Sequence, residues 1–360
     1  MVRQKFALEY LELLKEDHPP ILMTEDMDTE IGGEIWSEET IRLYFGLYMA
    51  LLPLNHELIH QLAIVYGQAT NDIKKCILRY LQQPVSSIGM HSKELYALLE
   101  NCPPGAETLI TRMLHILTEK TPPIPELVIK VKDLYYSRKM SDVRFLIPVL
   151  NGLEKQEIIQ ALPQLIQLSV NVVKEVFHRL LNMGQERGKT QGRLRPSELM
   201  ISLHTLEAKD EKQIKAIIQA IYLCFRETDI FTHDVLAGVF QQLLDMTPIP
   251  TLFMRTVIQS TLFCPNIVPF VLGILSKLIA KQVWKQNKLW QGFVKCCQIT
   301  KPQSFPTMLQ LPPRQLENAL EICPELREPL ADHVKQYNPM QRARIPRPVL
   351  QLIEKTDNQI

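Results

Sequence analysis

Thr121-Pro-Pro-Ile-Pro125 returns, one proline shorter, as Thr247-Pro-Ile-Pro250. The two copies start 126 residues apart, three units of 42. That is the period of helical-pair repeats of the HEAT type, in which each unit buries its apolar side on the next. Outward from these two segments, almost every window carries the periodicity of an amphipathic helix of one to two dozen residues, and none reads as a strand. The pattern predicts an all-α chain: a HEAT-like α-solenoid of stacked antiparallel helix pairs, with an extended outer surface in place of a closed pocket.

The apolar stripes come in two widths. Over Glu211–Phe225, residues Ile214, Ile217, Ile218, Ile221 and Phe225 line one face. Over Asn171–Leu181 the apolar residues are Val172, Val173, Val176, Phe177, Leu180 and Leu181. Thr232–Met246 repeats that paired pattern with Val235, Leu236, Val239, Phe240, Leu243 and Leu244. A stripe of paired columns suits a helix packed on two sides, as internal repeat units must be. The 25 prolines fit many short helices, because proline is tolerated in a first turn and in the link between helices. Pro-Pro pairs at 19–20, 103–104, 122–123 and 312–313 mark such links. Asp210 followed by Gln213 reads as a capping box, and Ser37, Asn55, Ser92, Asn171, Ser197 and Thr232 read as N-caps.

At 360 residues, with 46% hydrophobic and 22% charged, the chain can bury a continuous core. Forty Lys+Arg against thirty-nine Asp+Glu gives a net charge of +1, so any basic patch is local. The seven cysteines include no C-x-x-C pair and sit in apolar helical contexts, which fits free thiols in a reducing compartment. The longest apolar runs, Leu43–Leu54 and Ile267–Leu275, are too short to cross a bilayer, and no signal peptide opens the sequence. These features predict a nuclear or cytosolic location without a membrane. The chain opens inside a helical pattern (Phe6, Leu8, Leu11, Leu13, Leu14), as a piece of a longer protein would.

The expected organisation is an N-terminal helix at 1–16, an acidic linker at 17–36, and a helical-repeat solenoid at 37–297. A mobile loop interrupts the solenoid at 183–196, and C-terminal helices with a tail follow at 298–360. The whole is read as one continuous structural unit.

Five groups of residues invite a chemical reading. His56-Glu-Leu-Ile-His60 matches H-E-x-x-H, the zinc-hydrolase signature in which two imidazoles share a helix face and the glutamate activates a bound water. The downstream positions that a metzincin fills with Gly and His hold Ala63 and Tyr66, and the next glutamate is Glu94. His56, Glu57 and His60 therefore read as a chance match, with Leu58, Ile59 and Leu62 facing a core. Asp26-Met-Asp-Thr-Glu30 begins like a calcium loop, but Ile31 and Ser37 stand where glycine and glutamate are required, so it reads as solvated acid. No metal and no cofactor is expected. Lys189, Arg193 and Arg195 form a basic loop, and Arg342, Arg344 and Arg347 a basic tail; both could meet phosphates or an acidic partner, but solvated charge is the preferred reading. Trp284, Lys285, Lys288, Trp290 and Phe293 cluster in one late helical stretch, where aromatics either finish a core or anchor a partner. The expected partner face joins this stretch to the three tail arginines.

Leu43-Tyr-Phe-Gly-Leu-Tyr-Met-Ala-Leu-Leu-Pro-Leu-Asn-His-Glu-Leu-Ile-His-Gln-Leu-Ala-Ile-Val-Tyr66 resembles the C-terminal domain of the symplekin family. So do Thr121–Pro125, Pro248–Arg255 and Ile345-Pro-Arg-Pro-Val-Leu350, and the likeness covers nearly the whole chain. It implies a nuclear scaffold of mRNA 3′-end processing that serves both polyadenylation and histone pre-mRNA cleavage. It also implies three partners. Two are C-terminal regions, from the endonuclease subunit of the cleavage and polyadenylation specificity factor and from its inactive paralogue. The third is the hinge of the RNA-binding subunit of cleavage stimulation factor. The likeness brings no catalytic residue with it, so no enzymatic activity is expected. A direct RNA-binding helical-repeat module stands as the alternative. Steep salt dependence would mark that alternative, and stoichiometric zinc lost on His60→Ala would mark a hydrolase.

Overall fold

The structure is a computed structural model that describes residues 2–20, 35–137, 142–181 and 194–354. Helices and their links make up these residues, and no strand occurs among them. The all-α expectation holds. The stretches 21–34 and 182–193 are outside the described residues, and with them most of the acidic linker, most of the loop at 183–196, and the calcium-like Asp26–Glu30.

The chain divides into two compact units, one of Met1–Leu165 with Glu175–Arg193, the other of Ile166–Lys174 with Leu194–Ile360. The first begins with α1 (Val2–Leu13), α2 (Glu38–Leu51), α3 (Leu58–Gln68), α4 (Asn71–Tyr80) and α5 (Gln82–Ile88). It continues with α6 (Lys93–Glu100), α7 (Glu107–Lys120), α8 (Pro125–Tyr136), a 3-10 helix (Val143–Gly152) and α9 (Lys155–Leu165). Its helices pack stepwise, α1 on α2 and α3, α2 on α4, α5 on α7 and α6 on α8. The two described ends of the acidic segment are both held at Tyr44 of α2. The Tyr44 hydroxyl donates to the Pro20 carbonyl at 3.0 Å, and the Trp36 ring meets Tyr44 edge-on at 5.3 Å.

α10 (Val170–Leu181) spans the division of the chain. The second unit then runs α11 (Pro196–Thr205), α12 (Glu211–Arg226), α13 (His233–Asp245), α14 (Phe253–Phe263), α15 (Val268–Ala280) and α16 (Asn287–Ile299). α17 (Phe305–Met308), α18 (Pro313–Ile322), α19 (Arg327–Lys335), α20 (Pro339–Ala343) and α21 (Arg347–Glu354) complete it. Within this unit helices stack on their next-but-one neighbours in two rows, α11–α13–α15–α17 and α12–α14–α16–α18. That ladder is what a helical-pair repeat produces when each pair covers the apolar side of the one before. The two Thr-Pro-Ile-Pro segments serve the same purpose in the chain: one links α7 to α8, the other α13 to α14. Among the described residues six α-helices, α8 to α13, occupy the interval, two for each 42-residue period.

The stripes lie where the periodicity put them. Ile217, Ile221 and Phe225 of α12, Val173, Val176, Phe177 and Leu180 of α10, and Leu236, Val239, Phe240, Leu243 and Leu244 of α13 are buried. The caps match the sequence pattern in part. Ser37 and Ser92 accept from the backbone N–H of Thr40 and Leu95, and Asp210 accepts from Gln213 at 2.7 Å. Asn55 caps one turn early, accepting from the Glu57 N–H, and α3 starts at Leu58. Asn171 and Ser197 lie inside their helices. α10 begins a residue sooner, with the Ser169 carbonyl taking the first helical bond, and Pro196 occupies the first position of α11, where its fixed φ favours it.

Candidate partner-binding surface

The H-E-x-x-H segment is taken apart by its own helix start. His56 and Glu57 lie in the turn before α3 and only His60 is helical, so the shared helix face that zinc ligation needs does not form. His56 Nδ1 lies 3.0 Å from Ser92 Oγ, the hydroxyl that also accepts from the Leu95 N–H at the start of α6. His60 Nε2 lies 2.8 Å from Glu94 Oε2 in the first turn of the same helix. The two histidines thus go to separate partners and pin the N-terminus of α6. That long-range use of Glu94 was invisible in sequence. Among the described residues no group of three His, Cys, Asp or Glu is placed to hold a metal.

Buried titratable groups elsewhere are held by packing. His204 of α11 places Nδ1 2.7 Å from the Met200 carbonyl and Nε2 2.7 Å from Thr256 Oγ1 on α14. Burial pushes its pKa down to about 4, and the neutral ring meets both neighbours, donating from Nδ1 and accepting at Nε2. His115 is pushed down to about 4 by burial and by the adjacent Arg179 guanidinium, 3.2 Å away. All seven cysteines are unpaired, as expected; burial raises Cys102 to about 11 and Cys296 to about 12, so neither is a ready nucleophile.

The residues of the expected partner face divide between core and surface. Trp290 and Phe293 are core residues, 4% and 0% exposed, with their rings stacked at 5.3 Å. Trp290 Nε1 donates to Asn318 Oδ1 at 2.7 Å, tying α16 to α18. These two aromatics therefore finish the core between helices and do not stand outside as anchors, a correction to the ridge expected from sequence. Trp284 is half-buried with its ring edge-on to Trp290, and Lys285 and Lys288 are exposed. In the tail, Arg342, Arg344 and Arg347 are all exposed around α20, whose Asn338 and Gln341 cap one another. Of the basic loop only Arg195 is described, and it pairs with Glu198 at 2.8 Å; Lys189 and Arg193 lie outside the described residues.

Two features of the surface lie outside the expected partner face. On α2, Leu43 and Leu47 are 57% and 44% exposed, with Gly46 and Ala50 between and beyond them, and Leu54 just past the helix is 81% exposed. On α16, Lys288, Gln291 and Lys295 follow one another at helical spacing along the outer face, between two grooves of about 430 and 420 Å³. The polar spacing 288, 291, 295 was legible; that a groove runs on either side of it was not.

The structure thus defines an all-α helical-repeat chain whose outstanding surface features are grooves and exposed apolar faces, the equipment of a protein that holds others. Among the described residues no helix is long and apolar enough to cross a membrane. The family described as symplekin tight junction protein C terminal matches residues 142–323, a little over half of the chain, and the chain belongs to that family. Membership implies a scaffold role in mRNA 3′-end processing. No solved structure matches the chain.

Proposed function

We propose that this chain is a non-enzymatic nuclear scaffold that serves both cleavage and polyadenylation and histone pre-mRNA cleavage. It holds the C-terminal regions of the endonuclease subunit of the cleavage and polyadenylation specificity factor and of its inactive paralogue, together with the hinge of the RNA-binding subunit of cleavage stimulation factor. The observation that carries this reading is the family match over 142–323. The exposed Leu43, Leu47 and Leu54 support it, because an apolar face left to water marks a surface that another protein covers. The test is a pulldown from purified components. The chain is expected to retain both C-terminal regions and the hinge; failure to retain any of them overturns the reading.

Lys285, Lys288, Arg344 and Arg347 are exposed and, among the described residues, have no carboxylate within ion-pair distance, which favours one second reading, direct RNA binding. It predicts affinity for single-stranded RNA that falls steeply with salt.

A further inference from the structure

We infer that the two grooves flanking α16 form one docking trough for an extended acidic segment of a partner protein. The inference rests on the scaffold reading and gives it a place. One groove runs between α14 and α16, the other between α16 and the end of α18, and Gln291 and Lys295 border both. The first has an apolar floor of Met254 and Ile258, the second of Val294 and Ile322, the last 44% exposed. Met254 and Val294 are themselves buried, so Ile258 and Ile322 present the apolar contact. Residue 292 is glycine, and a Cβ there would lie 2.5 Å from Met254 Cβ, so its absence lets α16 settle onto α14.

The rails are cationic. Arg255, Lys288 and Lys295 are exposed beside these floors, and among the described residues no carboxylate stands within ion-pair distance of them. Lys295 reaches only the neutral Gln298 amide, at 2.7 Å. The single acid on the borders, Glu325, accepts from Gln298 at 2.6 Å. Gln259, on the wall of the first groove, keeps Oε1 buried without a hydrogen-bond partner, an acceptor that gains by turning to a backbone N–H laid in the groove. Three unanswered cations over apolar floors fit carboxylates alternating with apolar side chains. Neighbouring helices lie roughly 8–10 Å apart. An extended chain rises about 3.3 Å per residue, so about five to six residues cross both grooves.

The test uses the 360-residue chain with two ten-residue probes, one alternating Glu and Leu, the other Lys and Leu, read by fluorescence anisotropy. The Glu/Leu probe is expected to bind and the Lys/Leu probe to be ignored. R255E/K288E/K295E is expected to weaken the Glu/Leu probe at least about tenfold, and K288E alone does so in part should the triple variant melt early. Bound probe is expected to slow alkylation of Cys323, which lines the second groove, measured by mass spectrometry. Equal binding of the two probes, no effect of charge reversal, or capture of a U-rich RNA at these cations with the Glu/Leu probe ignored each overturns the inference. The same variant in the pulldown separates the two levels. If it retains the partners as well as wild type does, the trough is not their seat while the scaffold reading stands. If the probe binds and wild type retains no partner, the trough stands and the scaffold reading falls.

Discussion

Glycines with opposite surroundings give the residue scale its sharpest contrast. Gly67 sits in the last turn of α3 against the Pro104–Gly105 turn, where a Cβ would lie 2.6 Å from the Pro104 carbonyl oxygen. Backbone cannot swing aside as a side chain does, so Gly67→Ala is expected to cost about 1–3 kcal/mol. Gly238 is exposed within α13 with nothing within 4 Å of an added Cβ, so Gly238→Ala is expected to gain about 1 kcal/mol from helix propensity. Thermal melts of the two variants should move in opposite directions; a common direction would refute the close approach at Gly67. Buried histidine gives a pH dependence at the same scale. His204 is held near pKa 4 in the fold against an ordinary value of 6.5. The unfolded chain therefore takes up this proton first as pH falls, and stability is lost between pH 6.5 and 4, by up to about 3 kcal/mol for this ring. Urea midpoints at pH 6.5 and 4.5 should fall further apart in wild type than in His204→Gln. An equal fall in both would mean the ring is not held neutral.

At the scale of elements, α16 shows what was legible and what was not. Periodicity places Leu289, Trp290, Phe293 and Val294 on an apolar side and Lys288, Gln291 and Lys295 opposite. What it does not carry is which side a tryptophan serves, because an aromatic near lysines looks the same in sequence whether it anchors a partner or packs on the next helix. The deciding contact, Trp290 to Asn318, joins residues 28 apart in the chain. Helix starts failed for a similarly specific reason. Asn171 and Ser197 are good cap residues, yet the first turns start from the Ser169 and Arg195 carbonyls, two residues earlier, with Pro196 in the first position of α11. The H-E-x-x-H match fails because its first two residues fall outside the helix it presupposes. Trp290→Ala is accordingly expected to remove core, costing about 3–5 kcal/mol. Its signature is a lowered melting temperature, whereas Lys288→Glu on the same helix should leave the melt unchanged and act on binding. A Trp290→Ala variant of undiminished stability would return this ring to the partner surface.

For the whole molecule the question is whether protein or nucleic acid is the ligand. Nonspecific RNA affinity comes from phosphates neutralised by cations that nothing else occupies. Here 40 Lys+Arg face 39 Asp+Glu, and many of the cations are already engaged, Lys75 with Asp72, Lys132 with Glu157, Lys215 with Glu211 and Lys335 with Asp332. Single-strand platforms also need rings standing among the cations, and Trp290 and Phe293 are spent in the core. A U-rich 20-mer is therefore expected to bind no tighter than about 10⁻⁵ M near 0.15 M salt, in the nonspecific range. Protein partners seated on apolar surface should survive added salt, because hydrophobic burial is not screened as ion pairs are. The measurement is a parallel salt titration of RNA binding and partner retention between 0.05 and 0.5 M, values chosen to span about a threefold change in Debye length. Submicromolar RNA affinity with a steep slope, abolished by K285E/K288E, would make nucleic acid the primary ligand. Partner retention that outlasts RNA binding across the series would place the chain's function in protein contacts made by its exposed apolar surface.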